Sequence, residues 1–256
     1  MMPAPALGAA YGWRARIGFM QSSSGIDNHP FEFYLIAPEG VQLVMVSLRS
    51  LDDPEEPNTL LAENLNRSVS RIPAGVRELL RHDIDVIVQA GVPHITIQGW
   101  GFEDKLRAEV AQITTLPFVM DTRACIEAMR HLQMSRIAFV SPFPEQMTEG
   151  VVEYMRHAGV EIVASRRVQT AQFSDMRRVP VAVPYQAAKD AFRAAPNADG
   201  VWIAGAAMPS VGAIAPLEED LGVPVISSKQ AMVWAALRAA RVAAPITGYG
   251  RLFEMQ

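Results

Sequence analysis

His94, Arg123, Cys125 and the run Ser22-Ser23-Ser24 are the residues of this chain whose type and setting suggest chemistry. His94 comes three residues after Gly91, in the first turn of an expected helix. An imidazole is the side chain best suited to proton transfer near neutral pH. A helix N-terminus disfavours a cation, so the ring is expected to be neutral. His94 is the first candidate acid or base; the alternative is a surface or helix-capping histidine. Arg123 could clamp a carboxylate in bidentate fashion, or pair with a surface acid while Asp121 or Thr122 caps a helix. Ser22, Ser23 and Ser24 offer hydroxyls and backbone N–H groups on a polar turn. Ser227 ends the last expected strand in the same way, its alternative role with Ser228 being N-capping through Gln230. A nucleophilic serine needs a base beside it, and no such pair is evident. Cys125, spaced with Ile126 and Met129 on an apolar helix side, is expected to be a small buried hydrophobe. His29, His82, His131 and His157 fall in loop or surface-helix contexts without metal-ligand spacing. Gly99-Trp-Gly101 lacks the setting of a phosphate loop.

The elements that must position these residues come as a repeat. Asp85-Val-Ile-Val-Gln-Ala-Gly91 and Asp199-Gly-Val-Trp-Ile-Ala-Gly205 each run from an Asp through an apolar strand to a Gly, then into a helix. Arg16-Ile-Gly-Phe19 and Arg136-Ile-Ala-Phe139 open the two halves. Polar turns follow, at Ser22–Ser24 and at Ser141-Pro142-Phe143-Pro144. Second strands are expected at Val41–Val46 and Val160–Ala164, and helices at Leu60–Arg81 and Gln186–Ala194. Each half then closes on a strand led by Pro, Pro117-Phe-Val-Met and Pro224-Val-Ile. Alternating short strands and helices mean parallel sheets with right-handed crossovers.

The reading is an α/β protein of two similar parallel-sheet lobes related by a pseudo-two-fold axis, with the site in the cleft between them. Residues 1–15 form a loose tail and 16–116 the first lobe. Residues 117–222 form the second lobe, and 223–256 cross back to the first. Ligands of open α/β sheets bind beyond the carboxyl ends of the strands. Gly91, Gly205, the Ser22–Ser24 turn and the Pro142-Phe143 turn are therefore expected to line the cleft. The Asp52-Asp53-Pro-Glu55-Glu56 run is a solvated loop or part of a flap.

The chain has 256 residues, is half hydrophobic and carries a formal charge of −4. That is ample for real cores, and gives no electrostatic reason to expect nucleic acid or an anionic membrane. No apolar run reaches the roughly 18 residues of a membrane span. The segment Met1–Gly12 has no basic leader and reads as a tail, not a signal peptide. One cysteine excludes an intramolecular disulfide. These features suit a cytoplasmic protein, with self-association through an apolar lobe face a natural possibility.

Ala213-Ile-Ala-Pro-Leu-Glu218, Leu221-Gly-Val-Pro-Val-Ile-Ser-Ser228, Gln230-Ala231 before Trp234, and Gly248-Tyr-Gly-Arg-Leu-Phe253 resemble the aspartate/glutamate racemase superfamily. The nearest branch is that of arylmalonate decarboxylase and maleate cis-trans isomerase. The resemblance implies a cofactor-independent lyase or isomerase acting on a small carboxylic acid. It also implies cysteines at one or both strand-end turns, where this chain has Gly91 and Gly205. A two-cysteine racemase is therefore disfavoured. Val92 and Pro93 stand where the decarboxylases carry hydroxyls, and Pro93 lacks even a backbone donor. Phe143 stands where the family has a tyrosine, and Ser24 where isomerases have an asparagine. Losing one preorganised donor typically costs on the order of 3 kcal/mol of transition-state stabilisation. Two functions remain in view: carbanion chemistry by non-cysteine means, in a pocket lined by Val92, Ala206 and Phe143, or a non-catalytic protein that binds a carboxylate or aromatic acid.

Overall fold

A computed structural model describes residues 10–21, 28–48 and 62–254. The first half contains β1 (Ala15–Gln21), α1 (Asn28–Ile36), β2 (Val41–Ser47), α2 (Ala62–Ser70), α3 (Ile72–Leu79), β3 (Val86–Gln89), α4 (Val92–Thr96), α5 (Phe102–Ala111), β4 (Phe118–Met120) and α6 (Asp121–His131). The second contains β5 (Arg136–Ser141), α7 (Glu145–His157), β6 (Glu161–Arg167), α8 (Ala182–Ala194), β7 (Gly200–Ile203), α9 (Ile214–Leu221), β8 (Val225–Ser227) and α10 (Ser228–Ala239), and α11 (Arg251–Glu254) closes the described chain.

Among the described residues all strand pairings are parallel, and the two sheets have the same order, β2-β1-β3-β4 and β6-β5-β7-β8. The repeated Asp has a structural job in both. Asp85 accepts the Arg16 N–H at 2.7 Å and returns its own N–H to the Arg16 carbonyl. Asp199 likewise accepts the Arg136 N–H at 2.9 Å and donates to the Arg136 carbonyl. Each Asp thus fixes the register of the two central strands at their N-terminal ends. Every residue of β3 and β7 is buried, as expected of strands covered on both faces.

Three expectations need correction. The lobe boundary does not fall at Pro117, nor does the chain cross back at Val223. β4 pairs with β3 in the first sheet, and β8 pairs with β7 in the second. Each Pro-led strand is the fourth strand of its own sheet, beside the third. What crosses is helical: α10 packs on α6, α1 and β3. The helix expected over Leu60–Arg81 is broken. Within the described part it is α2 and α3, with Pro73 in the first turn of α3, where its missing N–H is harmless; inside a continuous helix it would clash. The tail, as far as it is described, is docked. Arg14 donates to the Gly40 carbonyl at 2.9 Å and stacks over Trp13, whose ring lies against Gly40.

Candidate active site at the two strand-end turns

Both strands carrying the Asp-to-Gly pattern end on a glycine with positive φ, +112° at Gly91 and +89° at Gly205. Ala90 and Ala204 donate to the neighbouring strand at Met20 and Val140, and the third residue after each glycine folds back onto its carbonyl. The turns are therefore the same device used twice, and His94 corresponds to Met208. A side chain at either glycine has nowhere to go. A Cβ on Gly91 would lie 2.2 Å from the His94 Nδ1, and one on Gly205 would lie 2.2 Å from the Pro142 Cγ. The space of a side chain at 91 is taken by an imidazole, and that at 205 by a proline ring.

His94 is buried, with its Nδ1 3.3 Å from the Gly91 carbonyl oxygen. A carbonyl can only accept, so Nδ1 holds the proton and Nε2 keeps its lone pair. That Nε2 is buried without a hydrogen-bond partner. Burial pushes the imidazole down to about 4, against which the Gly91 contact works only in part. The ring is neutral at pH 7, as expected, although desolvation is the first cause.

Below this turn lies Asp121, fully buried at the start of α6. It does not cap its own helix; Met120 holds the cap position without a side-chain bond. Its carboxylate instead accepts the Gly91 N–H at 2.9 Å, with a contribution from the Val92 N–H. Burial pushes this carboxyl up to about 7, opposed by those N–H groups, the Cys125 thiol and Lys229. Cys125 is buried in the hydrophobic core as expected, and two polar groups also reach its thiol: Asp121 Oδ1 at 3.5 Å and Ser228 Oγ at 3.6 Å. Burial, together with the Asp121 charge, pushes the thiol far above its ordinary range.

The second turn is held from α1. Glu32 Oε1 accepts the Ser210 and Val211 N–H groups at 2.8 and 3.0 Å. Its other oxygen lies 3.4 Å from the Lys229 ammonium, and both side chains are buried. Asn28 donates to the Ala207 carbonyl at 2.9 Å and to that of Arg177 at 2.8 Å. His29 is not a surface histidine. It is buried beside the Phe19 ring, neither ring nitrogen has a partner, and burial, with Lys229, pushes it well below its usual value.

The other expected site residues divide. Val92, Phe143 and Ala206 are buried around the two turns. Arg123 is engaged elsewhere: its Nε lies 3.0 Å from buried Glu103, with Asp104 at 3.9 Å, so the guanidinium is already paired. Ser227 caps α10, its hydroxyl accepting the Gln230 N–H at 3.2 Å. Ser22, Ser23 and Ser24, and the acidic run from Asp52, lie outside the described residues. Glu32 and Lys229 were not anticipated, whereas the Pro142-Phe143 turn was expected to line the cleft. The available signal was a lone charge in an apolar run, Phe31-Glu-Phe33 and Lys229 ahead of Ala231-Met-Val-Trp234, which implies a buried partner. Among the described residues no group of three or more metal-ligating side chains converges, and no helix is long and apolar enough to cross a membrane.

The family model for arylmalonate decarboxylase matches residues 58–253. The chain belongs to the arylmalonate decarboxylase family. It is 26% identical over 193 residues to an arylmalonate decarboxylase of Bordetella bronchiseptica, covering 75% of this chain and 80% of the relative. It is 25% identical over 246 residues to a maleate isomerase of Nocardia farcinica, covering 93% and 95%. Its fold superposes on a maleate isomerase of Pseudomonas putida S16 solved with maleate, with a TM-score of 0.80, 25% identity, and coverage of 94% and 98%. The two turns described above stand at the carboxyl ends of the central strands β3 and β7.

Proposed function

We propose that this protein is a cofactor-independent enzyme that performs carbanion chemistry, decarboxylation or isomerisation, on a small carboxylic acid held between the two strand-end turns, with His94 in place of a cysteine. The observation that carries the reading is the His94 ring, which presents a buried, unpartnered Nε2 at the first turn. A carboxylate beside Nε2 favours the imidazolium, so binding draws in a proton. In a decarboxylation the C–C bond to the leaving carboxylate breaks, carbon dioxide departs, and the electron pair stays on the α-carbon. The imidazolium then protonates that carbon and returns to the neutral ring. Buried Val92, Ala206 and Phe143 supply the apolar surroundings in which fixed donors act most strongly.

Proton NMR in heavy water on phenylmalonate, maleate and 2-aryl acids tests this. Loss of a carboxylate, isomerisation or deuterium at the α-carbon is expected. His94→Ala should then lower turnover by about 10²-fold or more. Unchanged turnover in that variant would remove His94 from the mechanism. Saturable line broadening without turnover would assign the protein to ligand binding alone, a role compatible with the way His94 and Pro142 fill the two turns.

A further inference from the structure

His29 is a buried ionisable side chain that the chemistry above leaves unused. It stands in the first turn of α1, the helix that follows β1, and is 1% exposed. Its ring packs on Phe19 near the carboxyl end of β1, with centroids 5.0 Å apart. Phe19 and Met20 are in register with Val88 and Gln89 of β3, and the Met20 carbonyl accepts the N–H of Ala90, the residue before Gly91. His29 thus sits at the strand ends from which the first turn springs. The same end of α1 holds the second turn. Asn28 donates to the Ala207 carbonyl at 2.9 Å, and Glu32 accepts the Ser210 and Val211 N–H groups. His29 lies between these two residues in sequence and shares the buried face of α1 with Glu32, three positions on.

Neither ring nitrogen of His29 has a hydrogen-bond partner. A neutral imidazole carries one N–H donor and one acceptor, and leaving both buried and unpaired is unfavourable. That arrangement suits a ring that receives a ligand better than one that only packs. The neighbouring acid does not repel an anion here, because Glu32 is compensated by the Lys229 ammonium at 3.4 Å and by its two N–H donors. We infer that His29 is a substrate-binding residue that donates a hydrogen bond to a carboxylate held between the two turns, while His94 serves the reacting carbon. The inference rests on the proposed function for the presence of a carboxylic acid between the turns. An anion drawn into a buried site leaves its water behind and depends on fixed donors. His29 supplies one of them from α1.

Nitrogen-15 NMR of the histidine rings tests this with phenylacetate, which has no second carboxylate to lose, and with its neutral amide, phenylacetamide. Phenylacetate should shift the His29 ring nitrogens saturably, and phenylacetamide at the same concentration should not. Binding that leaves the His29 nitrogens unmoved would overturn the assignment, as would equal shifts from the two compounds or no saturable binding of phenylacetate. His29→Phe keeps an aromatic ring against Phe19 and removes both nitrogens. The preference for phenylacetate over phenylacetamide should then fall by about tenfold or more, as for a lost hydrogen bond to a charged group. An undiminished preference would likewise overturn the proposal, and the wild-type shifts decide the matter if the variant does not fold. Both readouts report binding, so failure here is distinct from failure of His94 as acid or base, which turnover judges.

Discussion

Gly205 is a position whose backbone and surroundings both oppose a side chain. Its φ is +89°, and an added Cβ would meet the Pro142 ring at 2.2 Å. A cysteine placed here therefore costs backbone strain and overpacking at once. Gly205→Cys should destabilise the protein by about 2–4 kcal/mol. Adding Pro142→Ala should recover about 1 kcal/mol of this by clearing the contact. Urea denaturation of the two variants checks both numbers; no loss in the single variant would mean that the turn relaxes freely. The same logic explains His94. Its ring fills the space that a residue 91 side chain would occupy, so acid–base character and packing are properties of one group.

At the scale of the elements, the first turn, α4 and the start of α6 form a unit with two perturbed groups of opposite sign. Asp121 is raised to about 7 by burial, above the ordinary carboxyl value of about 3.9. The folded state therefore holds its proton more tightly than the unfolded chain. The associated stability is complete below about 4 and is lost as pH rises through about 7. His94 is lowered to about 4, so its stability contribution is present above about 6.5 and lost as pH falls through 4. Between those limits the two oppose each other. Asp121→Asn removes one arm. The stability of the wild type relative to this variant should fall by roughly 4 kcal/mol between pH 4 and 8, an upper bound for a shift of about three units. Denaturant melts across that range measure it, and a flat difference would place Asp121 at an ordinary carboxyl value. The Asp-to-Gly repeat itself was legible in the sequence. The role of Asp121 was not, because a helix-start Asp reads as a cap until the neighbouring strand end is seen.

At the scale of the whole molecule, the second-half turn is held by the first-half helix α1. Asn28 bridges to the Arg177 and Ala207 carbonyls, and Glu32 holds the segment that follows. Asn28→Ala should cost about 1–3 kcal/mol, since it strips a donor from two carbonyls at once. Chemical denaturation reads the cost, and a change within a few tenths of a kcal/mol would mean that water replaces the amide. The matching sheets make the molecule a pseudo-two-fold duplicate, yet the side-chain contacts that hold the two turns are not duplicated. Asp121 comes from α6 and Glu32 from α1, while Met208 stands where the other turn has His94.

The repeat, the parallel α/β class and the two glycine turns are legible in the order of residues alone. All three are local patterns, a period, a Pro-led strand, an Asp at a strand start, and they survive without knowledge of what packs where. Which sheet receives β4 and β8, the pairing of Arg123 with Glu103, and the meeting of Glu32 and Lys229 emerge only in three dimensions. Those are pairings between residues far apart in the chain. A buried charge announces that it needs a partner, but its identity is set by the packing of α1, α6 and α10 against one another, which no local pattern encodes.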